Sequence, residues 1–167
     1  MQQLFKVFLS ICLFRAKPEQ LPYSYFLMIL TIITYMVMDM WVSLVNQSVN
    51  KAMLVVTVDT VMLLGFTYAG LWIRDLLKRA VKAVTAIAGT SAMFTLAKWP
   101  LMMALQTHPT VQGRMGPLLI MILMMWNVAV LGHILRSALS LPPWAGAGIA
   151  VLYFIFYIKV LTLVSIA

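Results

Sequence analysis

The chain has 167 residues, of which 63% are hydrophobic and 10% are charged, and its mean hydropathy is +1.00. A soluble domain is typically about 45–50% apolar with about 25% charged residues, so this composition excludes a water-soluble fold. The net charge of +8 is typical of a membrane protein whose cationic residues collect in cytoplasmic loops, and we expect no nucleic acid partner.

The N-terminal apolar stretch is too short to span a bilayer. Lys6 and Ser10 lie one helical turn apart on a narrow polar stripe, and apolar side chains share the opposite face. This pattern is typical of a helix lying in the membrane interface, so residues 1–17 are predicted to form an interfacial amphipathic helix. A cleaved signal peptide would require small residues after the apolar core, whereas residues 14–18 read FRAKP.

Residues 18–167 form a single predicted transmembrane domain with five long apolar runs. Each run approaches or exceeds the roughly 20 residues that cross a bilayer. The predicted spans are residues 22–46, 51–73, 83–106, 117–136 and 143–166. Pro22 can occupy the first turn of its span, and Pro117 and Pro143 begin theirs, where a missing N–H does no harm. The predicted fold is therefore an all-α, polytopic bundle of five transmembrane helices, preceded by the interfacial helix.

The densest charge cluster lies between the second and third predicted spans. Its cations are Arg74, Lys78, Arg79 and Lys82. Because cationic residues are retained on the cytoplasmic side of a membrane, this connector is predicted to be cytoplasmic. Five spans then place the N-terminus in the cytoplasm and the C-terminus in the periplasm, most naturally across a bacterial inner membrane.

Four ionisable residues fall inside the predicted spans, namely Asp39, Asp59, Lys98 and Lys159. With this orientation all four lie roughly 10–12 Å below the outer boundary, and Asn127 falls near the same level. An ionised side chain in hydrocarbon costs at least ~2.5–3.5 kcal/mol on insertion scales. We therefore predict that the two aspartates face the bundle interior and pair with the two lysines.

This intramembrane polar layer has two interpretations. It is either a structural layer that fixes helix order and register, or a proton or ion relay or polar-substrate site. Hydrogen-bond partners available at this level are Thr34, Tyr35, Thr57 and Thr60.

Other motifs are better explained by packing. Methionine pairs four residues apart, such as Met121 and Met125, resemble soft Cu(I) ligands, but a methionine-rich apolar span forms such pairs easily. The segment Gly89-Thr90-Ser91-Ala92 resembles the Gly-x-Ser-x of rhomboid proteases, with His133 as a conceivable base. The single cysteine, Cys12, is expected to act as a small hydrophobe. We expect no enzyme, no metal site and no cofactor.

Residues 12–22, CLFRAKPEQLP, combine a short helix with a proline elbow that leads into the first span. In this feature and in its overall layout the chain resembles small bacterial inner-membrane proteins of the Yip1-like class. The resemblance implies a non-enzymatic membrane organiser or accessory protein. The leading hypothesis is thus an accessory or scaffold subunit in the lipid bilayer that contacts another membrane protein or itself. The alternative is a small transporter or a proton or ion channel that uses the buried Asp/Lys layer.

Overall fold

The computed structural model of the chain describes residues 2–16, 18–45, 47–107 and 115–166, and these ranges contain no β-strand. The helices are α1 (Gln2–Cys12), α2 (Tyr25–Ser43), α3 (Val49–Ile73), α4 (Ala80–Thr107), α5 (Met115–Ala138) and α6 (Pro143–Ile166). Short 3-10 turns occur at Pro18–Gln20 and Leu77–Arg79. Helices α2 to α6 are long and apolar enough to cross a membrane. The predicted all-α bundle of five spans is therefore confirmed.

A side-chain hydrogen bond explains where α2 starts, and the other predicted boundaries can be compared with it. The Ser24 side chain accepts the N–H of Leu27, so α2 begins at Tyr25. Pro22 lies before this cap, and its predicted place in the first helical turn is wrong. Helix α6 does begin at Pro143, as predicted. Most of the predicted polar loop after α4, residues 108–114, lies outside the described residues.

Helix α4 is the centre of the bundle. It packs against α1, α2, α3 and α5, and 67% of its apolar membrane-spanning stretch is buried inside the bundle. Its first half is rich in small buried residues such as Ala83, Ala86 and Ala88, which let neighbouring helices approach closely. Helix α6, in contrast, is peripheral, since only 11% of its apolar membrane-spanning stretch is buried.

One end of the bundle, here called the basic end, is formed by residues 74–82 together with Glu19 and Ser140. The Arg79 guanidinium donates to Ser140 Oγ at 2.9 Å and lies 3.7 Å from the Glu19 carboxylate. Lys82 Nζ donates to the Glu19 carbonyl at 2.9 Å, and Arg74 donates to the Leu139 carbonyl at 3.4 Å. These contacts tie the connector between α3 and α4 to the elbow after α1 and to the turn between α5 and α6. Lys78, in the 3-10 turn, is exposed.

Helix α1 packs against the bundle instead of lying apart from it. Phe8 and Ile11 are buried against the core, while Phe5 and Leu9 on the same helix remain exposed. The indole N–H of Trp126 donates to the carbonyl of the last α1 residue at 3.0 Å. Trp126 lies 12 residues from the end of α5 at Ala138, which is roughly 18 Å along the helix axis. The end of α1 therefore lies beside the middle of α5.

Candidate intramembrane site

A cavity of about 140 Å³ lies between the five long helices, each of which contributes to its walls. Half of its lining residues carry a polar group: Tyr35, Asp39, Asp59, Ser91, Thr95, Lys98, Asn127, Tyr153 and Tyr157. The remainder are aliphatic, aromatic or methionine side chains. The cavity therefore combines ionisable groups with apolar walls inside the apolar bundle.

The spacing of these residues along the sequence explains why they meet. Residues three or four positions apart lie on the same face of a helix. The sets that share a face in this way are Tyr35 and Asp39 on α2, Ser91, Thr95 and Lys98 on α4, and Tyr153 and Tyr157 on α6. Each of these helices turns one polar face towards the same space.

Asp59 is the most buried ionisable group of the cavity, with 5% of its surface exposed. The Tyr35 hydroxyl donates to its Oδ2 atom, which confirms Tyr35 as a predicted hydrogen-bond partner. Within the described part of the chain, Oδ1 of Asp59 has no hydrogen-bond donor. Asp39 is half-buried in the same cavity.

Lys98 lines the cavity together with both aspartates. It makes no direct ion pair with either of them. Across residues 2–16, 18–45, 47–107 and 115–166, the ion pair between Arg79 and Glu19 stands alone. The prediction of direct aspartate–lysine pairs is therefore wrong, and Lys98 attracts the carboxylates from a distance. Asn127 lies in the same cavity, on α5.

Lys159 does not join the other four candidates. Its side chain is exposed on α6 and does not line the cavity. The reason is helical geometry, because Lys159 follows the cavity-lining Tyr157 by two positions and so points about 200° away from it around the helix axis. The cavity consequently contains two acids and one base, and the balanced layer predicted from the sequence is wrong.

Sequence reasoning missed three polar residues of the cavity, namely Thr95 on α4 and the two tyrosines of α6, Tyr153 and Tyr157. The rings of the two tyrosines stack with centroids 6.3 Å apart, and Tyr153 also contacts the Phe66 ring at 4.8 Å. The spacing of four between the tyrosines on an otherwise apolar helix was the available signal. The candidate threonines behave differently, since Thr34, Thr57 and Thr60 donate to backbone carbonyls of their own helices.

The rhomboid-like motif is not assembled into a catalytic pair. Ser91 lines the cavity, whereas His133 does not, and its Nε2–H donates to the Ala16 carbonyl at 3.1 Å. His133 also meets the Phe14 ring edge-on at 5.4 Å. Met121 and Met125 are exposed on α5 and do not line the cavity. Among the residues that the structure describes, no three His, Cys, Asp or Glu side chains come together as a metal site.

An apolar layer separates the cavity from the basic end. It contains the fully or nearly fully buried side chains of Leu71, Ala83, Ile134, Leu135 and Ala138. Buried threonines at this level, Thr67 and Thr85, donate to carbonyls of their own helices. This packing closes the cavity towards residues 74–82.

Comparisons with protein-family models, with curated proteins and with solved structures find no match to this chain. The function is therefore inferred from the geometry and chemistry of the cavity.

Proposed function

We propose that this protein is a small membrane carrier that binds a proton or a small cation in its central cavity and moves it across the bilayer. The observation that supports this proposal is the presence of Asp39, Asp59 and Lys98 around one space between the spans. Ionisable groups inside a membrane are expensive to insert and typically mark a transport path or a binding site.

The charge of the cavity favours a positively charged cargo. When all three groups are ionised, two carboxylates face one ammonium, so one negative charge is uncompensated. A net charge in a low-dielectric interior is strongly unfavourable unless it is paired. Uptake of one proton or one monovalent cation brings the net charge of the cavity to zero.

The apolar layer at the basic end favours a carrier over an open pore. A continuous pore would need polar groups or water along its whole length, whereas Leu71, Ile134 and Leu135 fill this part of the bundle. A bound cation would leave towards the basic end only after the helices around this layer rearrange. Alternating access, in which the site opens first to one side of the membrane and then to the other, is the usual working cycle of carriers with a site near the middle of the bilayer.

We also propose in which membrane the protein lies and which way it faces. The basic end faces the cytoplasm of a bacterial inner membrane, because positively charged connectors are retained there. Exposed Trp72 and Trp144, at the ends of α3 and α6 next to the basic end, are suited to the headgroup region.

Cation flux in liposomes tests the proposed function. The purified chain is reconstituted into liposomes that contain the pH-sensitive dye pyranine. A potassium diffusion potential drives proton entry, and the measurement is then repeated with a sodium gradient across the membrane. We expect faster flux than in protein-free liposomes and a loss of about tenfold or more in Asp59→Asn. Lys51→Gln removes an exposed charge from the same helix and serves as the matched control. Flux no faster than in protein-free liposomes for both ions contradicts the proposal.

The accessory-subunit hypothesis remains the second candidate, and Lys159 favours it. This exposed lysine lies seven residues before the end of α6, among exposed apolar residues such as Ile155 and Phe156. A carboxylate on a neighbouring membrane protein would neutralise it, whereas extension of the side chain to the interface would let water solvate the charge. A pull-down in mild detergent from wild type and from Lys159→Gln tests whether this lysine contacts a partner protein. A reproducible partner that is lost in the variant supports the accessory role.

A further inference from the structure

The negative charge that the cavity carries when its two carboxylates and its ammonium group are all ionised restricts what can bind there. Asp39 and Asp59 are carried by different helices and line the same space, and one lysine, Lys98, accompanies them. The other intramembrane lysine, Lys159, is exposed on α6 and cannot serve this cavity. Asp59 is more than nine-tenths buried, and its Oδ1 has no donor among the described side chains and backbone groups. The site therefore offers a carboxylate oxygen that accepts a hydrogen bond from a ligand.

The size and the walls of the cavity restrict the ligand further. Its volume of about 140 Å³ is similar to that of a cavity that holds benzene, so it accommodates up to about six non-hydrogen atoms. Its aromatic lining residues are Tyr35, Phe94, Tyr153, Phe154 and Tyr157. Aromatic faces attract organic cations, and apolar walls favour an alkyl group over a hydrated metal ion.

We infer that the cavity binds a small alkylammonium ion, with the ammonium group at the two carboxylates and the alkyl group against the aromatic and aliphatic walls. This inference rests on the proposed function, because it names the substrate class of the same site. A monocation neutralises the cavity, whereas a zwitterion or a neutral alcohol leaves the charge of the site unchanged. An ammonium also supplies the N–H donor that Asp59 Oδ1 lacks.

A ligand series on the unchanged protein tests this inference. The full chain is purified in detergent, and binding of n-propylammonium chloride is measured by isothermal titration calorimetry. Matched probes are 1-propanol, which lacks the charge, β-alanine, which is a zwitterion, and tetrabutylammonium, which is too large. We expect saturable binding of propylammonium, about tenfold or more weaker binding of the alcohol and the zwitterion, and no binding of the large cation. Because this series needs no variant, its result does not depend on whether a mutant folds.

Substitutions then locate the site. Asp59→Asn and Asp39→Asn are each expected to weaken propylammonium binding by about tenfold or more. The matched control is Asp75→Asn, the same chemical change in the exposed connector between α3 and α4. Asp75 has a φ of 54°, a left-handed conformation that asparagine tolerates, so this variant is expected to fold and to bind as wild type does.

The outcomes separate the ligand from the transport function. If propylammonium fails to bind, or binds no better than 1-propanol, while cation flux in liposomes persists, the ligand class is wrong and the carrier stands. If propylammonium binds with the expected selectivity but the liposomes show no flux of protons, sodium or propylammonium itself, the ligand inference is supported and the carrier is contradicted. Equal affinity in the two cavity variants and in Asp75→Asn also overturns the inference.

Discussion

Among single residues, Gly132 and Gly146 set the closest approach between two spans. A Cβ atom added to Gly146 would lie 2.8 Å from the Gly132 carbonyl oxygen and 3.1 Å from Arg136 Cα. Both are backbone atoms, which cannot move aside without separating α5 from α6. We therefore predict that Gly146→Ala destabilises the protein by about 1–3 kcal/mol, as measured by its loss of helicity in an SDS titration.

Gly148 provides the matched control for this prediction. It lies two residues further along α6, and an added Cβ would meet no atom within 4 Å. Gly148→Ala is therefore expected to be neutral, or to stabilise the helix by up to about 1 kcal/mol through the better helix propensity of alanine. Equal destabilisation by both substitutions would show that α5 and α6 do not pack through these glycines.

Single residues also differ in how well their place in the site could be predicted. Asp39, Asp59, Lys98 and Asn127 stood out because charged and amide groups are rare in apolar spans, and the structure brings all four to one cavity. Lys159 stood out equally but lies on the outer face. The rotation of a span about its own axis is set by its packing neighbours, and no neighbour can be read from the sequence of α6 alone.

At the scale of elements, the burial of Cys12 reports on the position of α1. Burial raises the pKa of this thiol from 9.0 to about 11. Because the raised pKa favours the protonated form, the thiolate fraction below pH 9 is about a hundredfold lower than for a free thiol, and only the thiolate reacts with maleimides. We predict that N-ethylmaleimide labels Cys12 about a hundredfold more slowly at pH 8 in the folded protein than in SDS, and that labelling of the folded protein accelerates towards pH 11. Since the chain has one cysteine, total labelling measures this site alone.

Trp126 holds the end of α1 against α5. Its indole N–H donates to the Cys12 carbonyl, and its ring lies 6.3 Å from the Phe14 ring. Trp126→Phe keeps an aromatic ring but removes the donor, so we predict faster labelling of Cys12 in the folded protein. Trp144→Phe, at an indole that is 78% exposed, is the matched control and should leave the rate unchanged. Equal rates in the two variants would mean that this hydrogen bond does not position α1.

The five spans could be predicted because each needs little more than a long apolar run, and their observed ends differ from the predicted ones by a few residues. The docking of α1 could not be predicted. It depends on Gly89, whose missing side chain leaves room on α4 for the Phe8 ring. The two residues are 81 positions apart in the sequence, and no local pattern indicates that they lie against each other.

At the scale of the whole molecule, composition predicts the membrane class and the number of spans, and the small residues of α4 indicate that it packs closely. The distribution of charge is a further whole-molecule property. It concentrates Arg74, Lys78, Arg79 and Lys82 at the basic end, where contacts with Glu19 and Ser140 join three parts of the chain. The residues that make these contacts thus belong to the same connector that is predicted to set the orientation of the chain.

This arrangement gives the last prediction, which concerns orientation. A C-terminal fusion to alkaline phosphatase is expected to be active and one to green fluorescent protein to be dark. Five spans would place the two termini on opposite sides of the membrane, and the basic end is proposed to face the cytoplasm. Neutralising the four cations to glutamine removes the retained charge, so a mixed population with both signals is expected. Lys51→Gln, near the start of α3 and away from the basic end, is the control and should keep the wild-type pattern. A fluorescent wild-type fusion without phosphatase activity would show that the basic end faces outward.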